Sequence, residues 1–403
     1  MKQVKVKSKT FFYFLLALVL LRPSLDILSQ WEFQLHSSLP YFNINLMLGG
    51  LVFLAALFYL MPKFKQVWSF PLFFPIKIFL GLAFVSIFYS IDKFGSSQEF
   101  VRLATIFLLY FLAYQLIEHK KDFFLLLKVI LASYILPAFF ALIQFVFGLG
   151  LADDFGGFQR IYGTFAHPNP FAFYTIFVLA LVIALALSKK LLSQPNNLWL
   201  WAGAGLLAFL VLATYSRSAL FALLLFLLFF GIFKYRKLLL AGLAIFAIGY
   251  LFFPAFQERL WELITLDPYG SVVWRFRLWK DVLPIALWQP LFGQGLGCFE
   301  KITEFYRGLK FGSLEAHNDY LKILVENGII GLLAYLSIII GLLISLWKRF
   351  RKAVPQYKSL ALGIFVVVLS LYSVSMFDNV LRATALQWNL WILLGAWLKL
   401  KRL

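Results

Sequence analysis

The chain has a single cysteine, Cys298, so no intrachain disulfide can form, and no Cys-x-x-Cys or Cys/His spacing suggests a metal site. No pair of carboxylates stands at ligand spacing. Acidic residues are scarce, 18 against 37 Lys and Arg. The resulting charge of +19 would suit nucleic acid if it formed one patch. Instead the basic residues sit in short clusters between apolar runs, which is how membrane topology signals are arranged, and no nucleic-acid partner is expected. Outer-membrane strands alternate polar and apolar residues over roughly ten positions; that alternation is absent. Internal repeats and low-complexity linkers are also lacking, so residues 1–403 read as one integral membrane domain. The basic N-terminus and its following apolar run look like a signal peptide. Arg22-Pro23-Ser24 offers no small-residue cleavage site, however, and we read an uncleaved first helix.

What the chain does have is apolar surface: 62% of residues are hydrophobic and 19% aromatic. Soluble domains hold roughly 45–50% apolar residues, because their surface needs polar cover. Runs of about 16–25 apolar residues recur, close to the roughly 20 that a helix needs to cross the hydrocarbon layer. They predict an all-α polytopic membrane protein of about twelve transmembrane helices, near 11–29, 42–61, 71–91, 99–117, 123–147, 169–188, 198–213, 218–233, 237–253, 320–346, 358–376 and 385–398. Basic clusters at Lys2–Lys9, Lys63–Lys65, Lys120–Lys121, Lys189–Lys190, Lys234–Lys237, Lys348–Lys358 and Lys399–Arg402 hold just over half of the 37 Lys and Arg. They alternate correctly with twelve spans if both termini are cytoplasmic. The opposite face then carries 148–169, a tight turn near Thr214–Ser218, and the longest non-spanning segment, 254–319. That segment mixes Trp, Phe and Leu with Arg, Lys and Glu, as amphipathic helices lying on a membrane do.

The polar residues with chemical potential fall on that outer face. Arg217 lies in Thr-Tyr-Ser-Arg-Ser-Ala, between two apolar runs with almost no loop. A charge at membrane depth is expensive and marks a functional site facing a cavity; the alternative is a loop arginine reaching to lipid headgroups. Arginine presents a planar, permanent cation suited to phosphate oxygens, so Arg217, Arg275 and Arg160 together could grip a pyrophosphate. Arg275 stands beside Trp274, with Arg277 two residues on, and an interfacial aromatic and basic belt explains the segment equally well. His317, flanked by Glu315 and Asp319, is a candidate general base whose ring those carboxylates could hold or activate; a hydrogen-bonded interfacial histidine is the other reading. His167 precedes Pro168 and suggests a rigid turn with a structural or substrate-contact role. Gly293, Gly295 and Gly297 lack the strand and spacing of a dinucleotide fingerprint. Gly328 and Gly331 suggest close helix packing or a local break.

His317-Asn318, then nine residues, Gly328, two residues and Gly331 resemble the signature of the bacterial O-antigen ligases. Arg160, Gly163, Pro168-Asn169, Ser216-Arg217, Arg275 with Trp279, and Pro290 to Gly297 follow in the order of the wider family of O-antigen ligases, O-antigen polymerases and bacterial oligosaccharyltransferases. The resemblance implies a GT-C-like glycosyltransferase of the bacterial inner membrane, with its site on the periplasmic side. Its donor would be an undecaprenyl-pyrophosphate-linked glycan and its acceptor a lipid A–core hydroxyl, with no cofactor and no metal. It also implies catalysis by His317 and pyrophosphate contacts from Arg217 and Arg275, with Arg160 as a third and Asn318, Asp319, Glu315, Arg277, His167 and Asn169 in support. A polymerase extending a lipid-linked glycan is the nearest alternative, followed by transfer to a protein hydroxyl. A transporter is disfavoured, since paired broken helices and inverted repeats are absent.

Overall fold

A computed structural model describes residues 2–33, 42–152, 158–188, 197–252, 270–307 and 312–400, with scattered positions between 254 and 265. The expected basic pair Lys189–Lys190 and most of 254–269 lie outside the described residues. Sixteen helices are used below: α1 Lys2–Leu21, α2 Ile44–Leu60, α3 Phe64–Val67, α4 Phe73–Ser86, α5 Lys93–Leu116, α6 Lys120–Ala132, α7 Ile135–Phe147, α8 Pro168–Ala186, α9 Leu198–Ala213, α10 Arg217–Phe233, α11 Lys237–Phe252, α12 Ser271–Ala286, α13 Phe299–Arg307, α14 Asp319–Lys352, α15 Lys358–Val374 and α16 Thr384–Lys399. Three short 3-10 turns, Asp26–Gln30, Met61–Lys63 and Val380–Arg382, and two small antiparallel pairs, β1 Glu32–Phe33 with β2 Phe42–Asn43 and β3 Leu151–Ala152 with β4 Gln159–Arg160, accompany them.

Each of the twelve apolar runs falls on helix. Among the described residues, five helical stretches are long and apolar enough to cross a membrane: Ile44–Val67, Lys93–Leu116, Lys120–Phe147, Pro168–Ala186 and Asp319–Lys352. The third is interrupted between α6 and α7, where Pro137 has no N–H to return to residue 133 and its ring crowds that carbonyl. Helix α8 is buried along nearly its whole length, and α16 buries Trp388, Trp391 and Trp397. Both are apolar on every side and occupy the centre, with α5 packed on α16, and α9 and α15 on α8. Several polar groups in this interior are hydrogen-bonded to one another. Ser133 and Asn389 both meet the Tyr174 hydroxyl, at 2.7 and 2.6 Å, and Tyr134 meets Thr175 at 2.6 Å.

The two ends of the bundle differ in kind. At one, basic side chains lie over rings: Lys63 on Tyr59, Lys120 on Tyr357, Lys399 on Tyr114 and Lys358 on Phe350. Arg349 there donates to the Leu398 carbonyl at 2.6 Å. At the other end stand the N-termini of α8, α10, α14 and α16, and there the polar candidates gather.

Helix α14 is broken at Gly328, whose φ of 65° and ψ of −172° leave the helical region. The break removes two helical bonds, from the N–H groups of Ile329 and Ile330 to the carbonyls of Val325 and Glu326. The glycine turn after α12 replaces both. Gln294 and Gly295 donate to Val325 and Glu326 at 2.9 Å, while Ile329 and Ile330 donate to Pro290 and Leu291 at 2.8 and 3.3 Å. All four backbone groups freed at the break are thereby paired. The exchange needs bare backbone on both sides. A Cβ at Gly293 would meet the Asn327 nitrogen, and one at Gly328 would meet the Leu291 carbonyl. The two glycine motifs are therefore halves of one packing contact. Gly331, one turn on, leaves room for the Asn327 side chain. Gly328→Ala is expected to cost about 2–3 kcal/mol through the left-handed φ and the backbone collision. Thermal unfolding of the purified variant checks this, and an unchanged melting temperature would refute it.

Candidate functional site

Three helices are capped by residues at the edge of the polar end. His167 Nδ1 accepts the Asn169 N–H at 3.2 Å to open α8, Ser216 Oγ accepts from Ala219 at 3.4 Å to open α10, and Asn318 Oδ1 accepts from Leu321 at 3.0 Å to open α14. The turn between α9 and α10 is so tight that Tyr215 takes a φ of 49°. It sets Arg217 at the first residue of α10, where free N–H groups already favour anions.

Helix α12 buries Trp274, Leu278, Val282 and Ala286, spaced by four, against Leu321 and Val325 of α14. Trp279 ties it to the approach to α14 by donating to the Ala316 carbonyl at 2.7 Å. That anchoring brings Arg275 to the site. Its Nη1 donates to the Phe377 carbonyl at 3.0 Å, and Nη2 lies 3.3 Å from His317 Nδ1. His317 has a φ of 44°, an uncommon value for a non-glycine residue, and the Trp274 ring stands edge-on to it at 5.2 Å.

Asp378, between α15 and α16, joins these parts. One carboxylate oxygen is 3.4 Å from His317 Nδ1 and accepts the Asn379 N–H at 2.8 Å; the other accepts from Asn169 Nδ2 at 2.8 Å. Asn169 in turn accepts from Arg160 Nη2 at 3.0 Å, and Arg160 Nε donates to the Thr214 carbonyl at 2.9 Å. Burial alone would raise the Asp378 carboxyl. The hydrogen bond with His317 and the Arg275 guanidinium outweigh burial and hold it well below the usual carboxylate range. Asp378 is therefore charged at physiological pH. His167 opens onto the cavity, yet the protein around that space and the Arg160 charge push it down to about 4, so its ring stays neutral.

These groups line one cavity of about 880 Å³. Arg160, His167, Asn169, Arg217, Arg275, Glu315 and His317 all line it. Three supporting candidates do not. Arg277 is exposed and outside the lining, which leaves Arg275 as the arginine of α12 that faces the cavity. Asn318 caps α14 and lines a different, apolar cavity. Asp319 is buried outside the lining and holds backbone instead of the His317 ring: its Oδ2 accepts from Leu381 at 2.8 Å. Sequence reasoning missed Asp378 and Arg382. Arg382 pairs with Glu300 at 2.6 Å and with Glu315. One signal was present, since Asp378 is the only acidic residue after Glu326. Four guanidinium groups and two carboxylates face the cavity, so it carries two more cations than anions and suits a polyanion. Among the described residues no group of three His, Cys, Asp or Glu could hold a metal ion.

Fold and site together define an all-helical, multi-pass membrane protein with an arginine-lined cavity at one end of its bundle. Residues 202–336 match the model of the family described as O-Antigen ligase, a stretch that includes Arg217, Arg275, His317, Gly328 and Gly331. The match supports a member of the O-antigen ligase family, with an O-antigen ligase or related polymerase-family function and lipid-linked glycan substrates in a membrane. No curated protein matches the chain.

Proposed function

We propose that the chain is an O-antigen ligase, transferring O-antigen glycan from undecaprenyl pyrophosphate to a hydroxyl of lipid A–core. On this reading it is one GT-C-like domain of twelve spans in a bacterial inner membrane. Both termini are cytoplasmic, and 254–319 forms a periplasmic segment. The observation that carries the proposal is the cavity in which Arg160, Arg217 and Arg275 converge on His317 and Asp378. The arginines receive the pyrophosphate, whose negative charge grows as the glycosyl bond breaks; fixed cations aimed there stabilise the transition state. Protonation geometry favours His317 as the base. Its Nδ1 cannot both donate to Asp378 and accept from Arg275. The ionised carboxylate favours donation, which leaves Nε2 to take the acceptor proton. The freed hydroxyl attacks the anomeric carbon, undecaprenyl pyrophosphate leaves, and a single displacement inverts the configuration.

The lipid tail also has a path. An apolar cavity of about 520 Å³ begins at Asn318 and Met376, next to the polar site on both walls. It runs between α14 and α15 past Leu332, Leu336, Ile339, Leu343 and Leu369. A polar pocket with an apolar cavity beside it suits an amphiphile with an anionic head.

The test is transfer by purified protein in liposomes, given undecaprenyl-pyrophosphate-linked glycan and lipid A–core without ATP or added metal. Glycan on lipid A–core is the expected product. Longer glycan on the polyprenol would replace the ligase with a polymerase. No product with either acceptor would overturn both.

A further inference from the structure

A half-buried arginine on α5 and the buried Asp319, both outside the cavity lining, hold the turn that carries Asp378. Arg102 donates from Nη1 to the Leu381 carbonyl at 2.7 Å, and its other nitrogens bind both oxygens of Glu99 at 2.6 and 2.7 Å. Asp319 accepts the Leu381 N–H at 2.8 Å through its carboxylate and donates its own N–H to the Ser375 carbonyl at 2.8 Å. Leu381 is thus gripped at both its N–H and its C=O, and Ser375 at its C=O. Asp378 lies midway between these two held positions. Asp319 is also two residues beyond His317, so one residue sets the spacing between the segment bearing the histidine and the turn bearing its carboxylate partner. Charged residues in candidate membrane-crossing helices are costly and call for a role. Neither residue lines the polar cavity.

We propose that Arg102 and Asp319 are positioning residues, clamping the 375–382 turn so that Asp378 faces His317. This rests on the glycosyl-transfer reading for its kinetic consequence, and on geometry alone for the clamp. Other groups bear on the clamp from several sides: Glu99 on α5, Lys322 and Glu326 on α14, and Arg382 on the turn itself. Glu99 neutralises Arg102 and keeps its fork aimed, so the carbonyl contact does not depend on the loading of the cavity.

The experiment uses the full chain in nanodiscs, with Arg102→Gln, Asp319→Leu and Asp319→Asn, each alone and with Asp378→Asn. Amide exchange by mass spectrometry reads the 375–383 backbone. It should quicken in Arg102→Gln and Asp319→Leu and remain slow in Asp319→Asn, which keeps an acceptor for Leu381. Glycan transfer should show kcat about 10-fold lower in the first two, the scale of a lost charge-assisted hydrogen bond, with donor KM within about twofold. On the Asp378→Asn background these losses should vanish, because the clamp acts through that carboxylate. A turn that stays protected, or losses that multiply with Asp378→Asn, would overturn the clamp. Absence of transfer by the unaltered protein would count against the glycosyltransferase reading, and the exchange data would still decide the clamp.

Discussion

His317→Ala is expected to reduce glycan transfer by about a thousandfold, the middle of the range for loss of a positioned general base. The melting temperature should stay close to that of the unaltered protein. The ring is partly open to the cavity, and its removal relieves a left-handed φ only in part while leaving the Asn318 cap in place. Asp378→Asn should cost less, about a hundredfold, because the base remains but its tautomer is no longer imposed. Asp378 itself adds no limb near neutrality, since Arg275 and His317 hold it charged against burial. Rates measured between pH 5 and 9 check both statements. Near-normal turnover by His317→Ala across that range would leave the histidine no proton-transfer role.

Arg275→Ala should lower transfer by about a hundred- to a thousandfold, the usual cost of removing one preorganised group that faces developing negative charge. Its guanidinium reaches the Phe377 carbonyl and the His317 ring, and it helps to keep Asp378 ionised. Its loss therefore weakens the leaving-group contact and the histidine–aspartate pair together. Arg275→Lys should recover only part of the rate, because an ammonium lacks the planar fork that matches phosphate oxygens. Arg277→Ala is the matched control: it lies two residues away on the exposed side of α12, outside the cavity, and should transfer at close to the normal rate. Initial rates at saturating acceptor measure all three. Loss in Arg277→Ala with retention in Arg275→Ala would reverse the assignment.

The helices were legible because the demand that makes them is local. A run long enough for a bilayer must satisfy its backbone within itself, so composition over about 20 residues announces it. Arg217 was legible for the same reason, as a charge where almost no loop exists. His317, Gly328 and Gly331 were legible as a spaced pattern, but the pattern was silent on why the glycines are there. Their reason is the exchange of two helical hydrogen bonds with 290–295, some 35 residues earlier in the chain.

The sequence by itself determined the helical class and the clustering of basic residues between apolar runs, and it offered ten polar candidates without separating those that line the cavity from those that do not. Only the tertiary structure decided their partners. It set Asp378 against His317 across 61 positions, turned Asp319 from the histidine to the Leu381 backbone, and brought Arg102 of α5 to the same turn. Hydropathy and charge are properties of a segment and can be read along the chain. A hydrogen-bond partner is a property of two segments, and distance along the chain carries no record of which two will meet.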